Sequence, residues 1–328
     1  MTVAPHRRPP LPHHLHIVSG KGGTGKTTIA AALACALATD GRRVLLCEVE
    51  GRQGISELFG VPNLKGDEER RLIRTSGGGQ VFGLSIDAED ALLEYLETFY
   101  RLGIAGRALD RFGAIDFATS IAPGLRDVLL TGKVYEAVRR GEKNLPTAYD
   151  AVVLDAPPTG RIAQFLNVHE AVSGLARVGP IRSQADSIMR VLRSARTVVH
   201  LVTLLEDMPV TETVDAISQL GPTKITVGTV IANMITPALL GADDLRAAMD
   251  GELELGVPGL SARQNSLLSA ELGEDATRIG LQRECHAVLA HLGLPLVEIS
   301  YDPAGIDVDS LLLVGESLAD QLPEEVVG

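Results

Sequence analysis

One stretch constrains the fold of this chain more than any other: residues 16–38, HIVSGKGGTGKTTIAAALACALA. Within it, Gly20, Gly25, Lys26 and Thr27 match the pattern G-x-x-x-x-G-K-[ST]. The apolar run LHIVS precedes the glycines as a buried strand would, and an Ala- and Leu-rich segment that favours a helix follows them. In a strand, glycine-rich loop and helix of this kind, backbone N–H groups close around phosphate oxygens. The stretch therefore predicts a nucleotide-phosphate loop.

The residue types in this loop have separate chemical tasks. Lys26 can reach the β and γ phosphates of a nucleotide, and the Thr27 hydroxyl can hold Mg²⁺. An ordinary loop needs only Lys26 and not the additional lysine that precedes it, Lys21. The residues expected to line the nucleotide are Gly20, Gly22, Gly23, Thr24, Gly25, Lys26, Thr27 and Thr28.

Apolar runs typical of strands alternate with helical patterns along the rest of the chain. These runs are continuous, as expected for strands that are covered on both faces. The pattern predicts an α/β fold: a doubly wound, mostly parallel sheet whose ligands bind beyond the carboxyl ends of the strands. The predicted strands are residues 15–19, 43–50, 80–86, 151–156, 197–203, 225–233 and 296–300.

Three parts of the chain fall outside this alternation. Residues 1–13 are rich in proline and are expected to form a disordered arm, ahead of a P-loop domain at 14–328. Residues from about 88 to 145 show helical spacing without an intervening strand, which predicts a helical insertion subdomain. A second helical stretch is expected at about 166–196.

The segment AYDAVVLDAPPTG is predicted to supply the other half of the site. Asp155 ends a predicted strand and can hold a water of the Mg²⁺ shell, opposite Thr27. The N–H of Gly160 can bond the γ-phosphate and report its loss. The expected cofactors are therefore ATP and Mg²⁺.

Composition excludes several classes of function. A formal net charge of -12 argues against nucleic-acid binding, which needs a basic face. No apolar run approaches the ~18 residues of a membrane span, and no apolar segment follows the two N-terminal arginines, so we expect a cytoplasmic protein without direct membrane insertion. The cysteines lack metal-ligand spacing and are expected to be buried apolar residues: Cys35, Cys47 and Cys285.

Several of these motifs resemble one known family. GKGGTGKTT resembles the deviant phosphate loop of the superfamily that contains MinD, ParA, the nitrogenase iron protein and the arsenite-pump ATPase, which is of the SIMIBI type. DAPPTGRIAQFL resembles DTAPTGHTLRFL of the arsenite-pump ATPase (ArsA) and of the guided-entry ATPase for tail-anchored proteins. VTLLEDMPVTETVDAI, GTVIANM and SYDPAGIDVDSL resemble later family segments. The chain is identified as a bacterial single-domain member of that family.

The resemblance implies an assembly and further site residues. Members act as nucleotide-sandwich dimers, in which the first loop lysine, here Lys21, reaches the phosphates of the other subunit. A homodimer, or a heterodimer with a related subunit, is therefore implied. By the same resemblance, Asn233 binds the adenine edge and Pro303 walls the adenine pocket.

One segment departs from the family pattern. Where the family has DPAHSL, with an Asp that orients the attacking water, this chain has EGRQGI. Glu50 replaces the Asp, Gly51 the Pro and Gln53 the His. The implied catalytic residues are Lys21, Lys26, Glu50 and Asp155. Because small errors in positioning the attacking water lower the rate, we expect either slow hydrolysis or a subunit that mainly binds nucleotide.

Three functions are compatible with the resemblance. The first is an ATP-hydrolysing switch that couples its nucleotide state to a protein client or a membrane-protein partner, as in tail-anchored protein targeting. The second is the energy subunit of an arsenite-type anion pump, or a regulatory subunit with weak hydrolysis, although the metalloid-binding cysteines are not reproduced. The third, a membrane-positioning or DNA-segregation ATPase, is disfavoured by the acidic C-terminus ESLADQLPEEVVG. The lack of methionine between Met1 and Met189 disfavours a Met-rich groove for tail anchors.

Overall fold

Eight strands form a single sheet in the order β3-β4-β2-β5-β1-β6-β7-β8. The computed structural model describes residues 11–39, 41–49, 53–66, 68–88, 90–92, 94, 123–142, 148–173 and 180–327. Neighbouring strands are parallel, except for the antiparallel pair β3 and β4. The strands are β1 Leu15–Gly20, β2 Arg43–Val49, β3 Arg70–Arg74, β4 Gln80–Ile86, β5 Ala151–Asp155, β6 Thr197–Thr203, β7 Val227–Ile235 and β8 Leu296–Ser300.

Helices connect the parallel strands, and they are numbered here along the described part of the chain. Those with described bounds are α1 Lys26–Leu37, α2 Gly54–Leu58, α3 Pro123–Glu142, α4 Thr159–Leu166, α5 Val168–Ser173, α6 Pro180–Leu192, α7 Asp207–Leu220, α8 Ala242–Met249, α9 Ala262–Ala290, α10 Val308–Gln321 and α11 Glu324–Val327.

Apolar side chains on the two faces of the sheet pack into two separate core clusters. On β1, Ile17 belongs to one cluster and Val18 to the other, and Leu45 and Leu46 divide in the same way on β2. Helices α3, α4 and α6 cover the first face, and α1 and α10 cover the second. Burial on both faces explains the continuous apolar runs in the sequence. The predicted doubly wound, mostly parallel α/β fold is confirmed.

The sequence did not predict strand β3. Its residues, RRLIR, are mostly arginines, and the strand lies at an edge of the sheet with β4 as its hydrogen-bonded neighbour. Its side chains are exposed or half-buried, and charged side chains on an edge strand discourage pairing with other chains. The apolar periodicity of a buried strand is therefore absent from this segment.

The helical segments fall partly outside the described residues. Helix α3 lies in the predicted insertion at 88–145, whereas residues 95–122 and 143–147 are not described. Helices α5 and α6 occupy the second predicted stretch, and α4 already begins at Thr159. Leu11, within the predicted arm at 1–13, is 6% exposed and packs in the core. The extent of the arm stays a prediction.

Candidate functional site

The predicted phosphate loop follows β1, the strand that lies between β5 and β6 near the middle of the sheet. A Cβ on Gly20 would lie 2.1 Å from the carbonyl oxygen of Val202, so only glycine fits there. Gly25 has a φ of 81° and caps the N-terminus of α1, a conformation that glycine adopts without strain. These two glycines turn the chain sharply from the strand into the helix, whose N-terminus faces the loop.

Two side-chain hydrogen bonds hold the phosphate loop: one forms within the loop, and the other comes from strand β7. The Thr24 hydroxyl donates to the carbonyl oxygen of Lys21 at 2.9 Å. The side-chain amide of Asn233 donates to the carbonyl oxygen of Thr24, also at 2.9 Å. Thr24, Lys26 and Asn233 are buried. The structure therefore assigns Asn233 a contact with the phosphate loop, and its role at adenine stays a prediction.

Thr27 and Asp155 meet at the carboxyl end of the sheet. The Thr27 hydroxyl donates to Oδ2 of Asp155 at 2.6 Å, although the two residues are 128 positions apart. Asp155 is the last residue of β5, and it is 8% exposed. A hydroxyl beside a carboxylate is a donor set of oxygen atoms, which suits Mg²⁺ rather than a soft metal.

The remaining ligands of such an ion would come from elsewhere. Among the described residues, no three His, Cys, Asp or Glu side chains cluster as a protein-only metal site would require. Mg²⁺ in nucleotide sites keeps several waters and binds phosphate oxygens, so one hydroxyl and one carboxylate are enough protein ligands. The residues present fit Mg²⁺ bound together with a nucleotide.

Lys21 has an ion-pair partner in its own chain. Its ammonium group contacts the carboxylate of Glu212 on helix α7. The Thr159 hydroxyl donates to the other oxygen of that carboxylate at 3.1 Å. The hydrogen bond from Lys21 holds the pKa of the Glu212 carboxyl below its ordinary value. The two partners are about one third exposed, at 31% and 32%, so the contact is accessible to water.

The loop after β5 lies beside the phosphate loop. Ser19 on β1 donates its hydroxyl to the carbonyl oxygen of Pro157 at 2.7 Å. Gly160 is the second residue of α4, and a Cβ there would meet nothing within 4 Å. Its backbone N–H belongs to the first turn of the helix, where N–H groups lack partners within the helix. Gly160 is thus placed at a helix N-terminus, and its contact with a γ-phosphate stays a prediction.

The other predicted residues have mixed outcomes. Glu50 and Gly51 lie outside the described residues, so the role of Glu50 stays a prediction. Gln53, which aligns with the family histidine, accepts from the backbone N–H of Leu64 at 3.0 Å and donates to its carbonyl at 3.1 Å. Pro303 lies in the exposed loop after β8, the strand that pairs with β7.

Sequence reasoning missed two carboxylates near the site. Glu212 holds Lys21, and Glu48 is buried at the carboxyl end of β2. Glu48 did carry a signal, because a charged residue within the apolar run RVLLCEV is unusual unless its charge has a partner. Glu212 lies in a helix with several acidic residues and carried no such signal.

The three cysteines are buried and lie in different elements. Burial raises the pKa of the Cys35 thiol to about 12, and it also raises the pKa of Cys47 and Cys285. The thiolate is the form that binds metals and metalloids. The expectation that these cysteines are buried apolar residues is confirmed.

The fold and the site together define a nucleotide-binding α/β protein with a phosphate loop. The family model ArsA_ATPase, described as anion-transporting ATPase, matches residues 13–195. The ATPase BagA of Mycobacterium tuberculosis is 50% identical over 317 residues, which cover 94% of this chain and 93% of BagA. An ATPase of Mycobacterium bovis matches with the same identity and coverage. The ATPase GET3 of Kluyveromyces lactis is 27% identical over 193 residues, or 57% of this chain and 54% of GET3.

The chain belongs to the anion-transporting ATPase family, as its resemblance to ArsA and the guided-entry ATPases implied. The family and the named relatives support ATPase activity in general terms. None of the helices in the described ranges is long and apolar enough to cross a membrane.

Proposed function

We propose that the chain is an Mg²⁺-dependent, ATP-hydrolysing dimeric switch that couples its nucleotide state to a protein client or partner. One observation supports this most directly: Thr27 and Asp155 meet at 2.6 Å beside the N-terminus of α1, where Lys26 is buried. Such an arrangement would suit a triphosphate and a hard cation, because Lys26 and backbone N–H groups would hold the phosphates while Thr27 and Asp155 would supply oxygen ligands for the metal.

Each residue of this chain has a task in the proposed reaction. The Lys26 ammonium neutralises charge on the β and γ phosphates, and the Gly22, Gly23 and Gly25 backbone accommodates their oxygens. Mg²⁺, when bound with ATP, neutralises charge that develops on the phosphate oxygens. Glu50 orients the attacking water, and Gly160 responds to loss of the γ-phosphate.

The dimer is proposed because of Lys21. Its position before the essential lysine suits a cation that acts on the phosphates of a second subunit, as an arginine finger does. In the single chain Lys21 is paired with Glu212, so it must leave that partner to act on another subunit. A second copy of this chain, or a related subunit, can serve as the other half.

An anion pump is the second candidate, because the matching family is described as anion-transporting. The buried cysteines argue against the arsenite-type version, since they lie in different elements and burial raises their pKa values, which disfavours the thiolate that binds a metalloid. Phosphate release that rises with a protein partner, and not with arsenite, would favour the switch.

The proposal is tested by replacing the phosphate-binding lysine. Lys26→Ala should weaken ATP binding in calorimetry by at least about a hundredfold, because it removes a buried charge that bonds the phosphates. Lys65→Ala, at an exposed lysine, is the matched control and should bind ATP like the wild type. Equal ATP affinity in the wild type and Lys26→Ala would contradict the proposal. ATP binding without detectable phosphate release would favour a regulatory nucleotide-binding subunit.

A further inference from the structure

A second carboxylate lies at the carboxyl end of the sheet, next to the strand that carries Asp155. Glu48 is the register partner of Asp155 across the parallel pair of β2 and β5. Its side chain is 2% exposed, and one of its oxygens, Oε2, accepts a hydrogen bond from the backbone N–H of Ile55 at 3.2 Å. Glu48 is therefore buried with its carboxylate directed at the start of helix α2.

The other oxygen of this carboxylate has no hydrogen-bond partner within the described structure. Oε1 of Glu48 is buried and accepts no hydrogen bond there. A buried oxygen that could carry charge costs free energy unless a donor or a cation reaches it. The hydrogen bond from Ile55 uses only one of the two carboxylate oxygens. A structural role of Glu48 in holding helix α2 therefore does not explain why the second oxygen is buried.

Glu48 and Thr27 border the same small space beside Gly54. A Cβ on Gly54 would lie 3.8 Å from the Thr27 hydroxyl oxygen and 4.0 Å from Oε2 of Glu48. It would also lie 3.3 Å from the Thr27 methyl carbon, which is a tight contact. The absence of a side chain at Gly54 leaves room between the hydroxyl that is expected to hold Mg²⁺ and the Glu48 carboxylate.

We propose that Glu48 is a second carboxylate of the Mg²⁺ site, where its unpartnered oxygen accepts hydrogen bonds from the water shell of the ion. The inference rests on the proposed function, because the ion arrives with the nucleotide. Mg²⁺ gives up its waters reluctantly, so carboxylates often hold it through those waters. Groups in this outer shell orient the ion and change its affinity by about 10- to 100-fold.

The test measures metal affinity separately from turnover. Mn²⁺ replaces Mg²⁺, and its free concentration is followed by electron paramagnetic resonance in the presence of a non-hydrolysable ATP analogue. Glu48→Gln keeps the size of the side chain and an oxygen for Ile55, but removes the charge. We expect its Mn²⁺ affinity to fall about tenfold. Glu57→Gln removes an exposed charge from helix α2, which contains Ile55, and should not change Mn²⁺ affinity.

A second measurement separates the metal site from the nucleotide site. In EDTA, Glu48→Gln should bind the analogue as tightly as the wild type, because Lys26 and the loop are unchanged. Equal Mn²⁺ affinity in Glu48→Gln and the wild type, with equal melting temperatures, would show that Glu48 is only a structural residue. If the wild type itself does not bind the analogue, the proposed function is wrong and this inference falls with it.

A second variant covers the case in which Glu48→Gln does not fold. Glu48→Asp keeps the charge but shortens the side chain by one methylene, which moves the carboxylate away from the proposed metal site. Its Mn²⁺ affinity should therefore fall severalfold. Wild-type Mn²⁺ affinity in Glu48→Asp would contradict the proposal, since an outer-shell contact depends on reach.

Discussion

The ion pair between Lys21 and Glu212 joins two residues that are 191 positions apart. Glu212 also accepts from Thr159, so its carboxylate connects the phosphate loop, the start of α4 and helix α7. If Lys21 acts on the phosphates of a second subunit, this pair competes with dimerisation. An ion pair that is about one third exposed contributes roughly 0.2–1 kcal/mol, which is small enough to exchange readily.

Release of Lys21 is therefore predicted to favour the dimer. Glu212→Gln keeps the size of the side chain and its oxygen for Thr159, but removes the charge that holds Lys21. At saturating ATP and Mg²⁺, the protein concentration for half dimerisation should fall by about two- to fivefold, the equivalent of up to about 1 kcal/mol. Analytical ultracentrifugation over a range of concentrations measures this.

Two further variants control that experiment. Glu206→Gln removes an exposed charge just before the same helix and should leave dimerisation unchanged. Lys21→Ala should dimerise less than the wild type, because the ammonium group itself is absent. Dimerisation of Glu212→Gln at the wild-type concentration would mean that the pair with Glu212 does not compete.

Helix α1 carries the phosphate loop, and its position depends on close packing with α10. Residues 29–37 of α1 are all buried, so this helix has no polar face. Gly315 of α10 lies against it: a Cβ there would be 2.9 Å from the carbonyl oxygen of Ala32 and 3.6 Å from Cβ of Cys35. The crossing therefore requires a residue without a side chain at position 315.

A larger residue at this crossing should destabilise the protein. Gly315→Val would push α10 away from the backbone of α1, and overpacking of this kind costs about 1–3 kcal/mol. Urea denaturation should show that loss in the free energy of unfolding. Gly256→Val is the control, because a Cβ at this exposed loop position meets nothing within 4 Å, and it should change stability by no more than about 0.5 kcal/mol. Equal stability of the two variants would contradict the packing argument.

The molecule buries three histidines in or next to the central strands of its sheet, which makes its stability depend on pH. His16 on β1 and His200 on β6 are 0% exposed, and their rings stack with centroids 5.5 Å apart. Burial lowers the pKa of His200 to about 3, with a smaller effect from His13, and lowers the pKa of His16 well below 6.5. Burial and the neighbouring Arg196 lower the pKa of His14 to about 4, against a weaker opposite effect of Asp150.

Acid should therefore destabilise the folded state. Below pH 6.5 the unfolded chain binds protons on these histidines, whereas the folded chain does not until the pH nears their lowered pKa values. The stabilisation is present above pH 6.5 and is lost as the pH falls towards 4. Each buried histidine contributes a slope of up to about 1.4 kcal/mol per pH unit between pH 5.5 and 4. Urea denaturation at a series of pH values measures the slope.

The contribution of the His200 ring to this pH dependence of stability can be separated from that of the other titrating groups. His200→Phe keeps an aromatic ring against His16 but cannot bind a proton, so the slope below pH 5.5 should decrease by up to about 1.4 kcal/mol per pH unit. An unchanged slope in His200→Phe would show that His200 is not titrating between the two states.

Local patterns were sufficient to predict the fold class and to place Thr27 opposite Asp155. The phosphate loop could be predicted because its residues are neighbours in sequence, and their task depends on the turn that they form themselves. Asp155 could also be predicted, since the carboxyl ends of parallel strands meet at one edge of a sheet. Apolar runs predicted seven of the eight strands of the sheet, but not the arginine-rich edge strand β3.

Contacts between distant segments needed the folded chain. Neither the spacing nor the residue types around Glu212 indicate that it holds Lys21, because that contact depends on how α7 packs beside the loop. The bond from Asn233 to Thr24 joins residues 209 positions apart, and it places at the loop a side chain that the family resemblance assigned to adenine. Glu48 stood out in the sequence as a charge in an apolar strand, yet only its register with Asp155 and the gap at Gly54 relate it to the metal site. The physical reason is that backbone propensity acts between neighbours, whereas the partner of a buried charge is chosen by packing across the whole sheet.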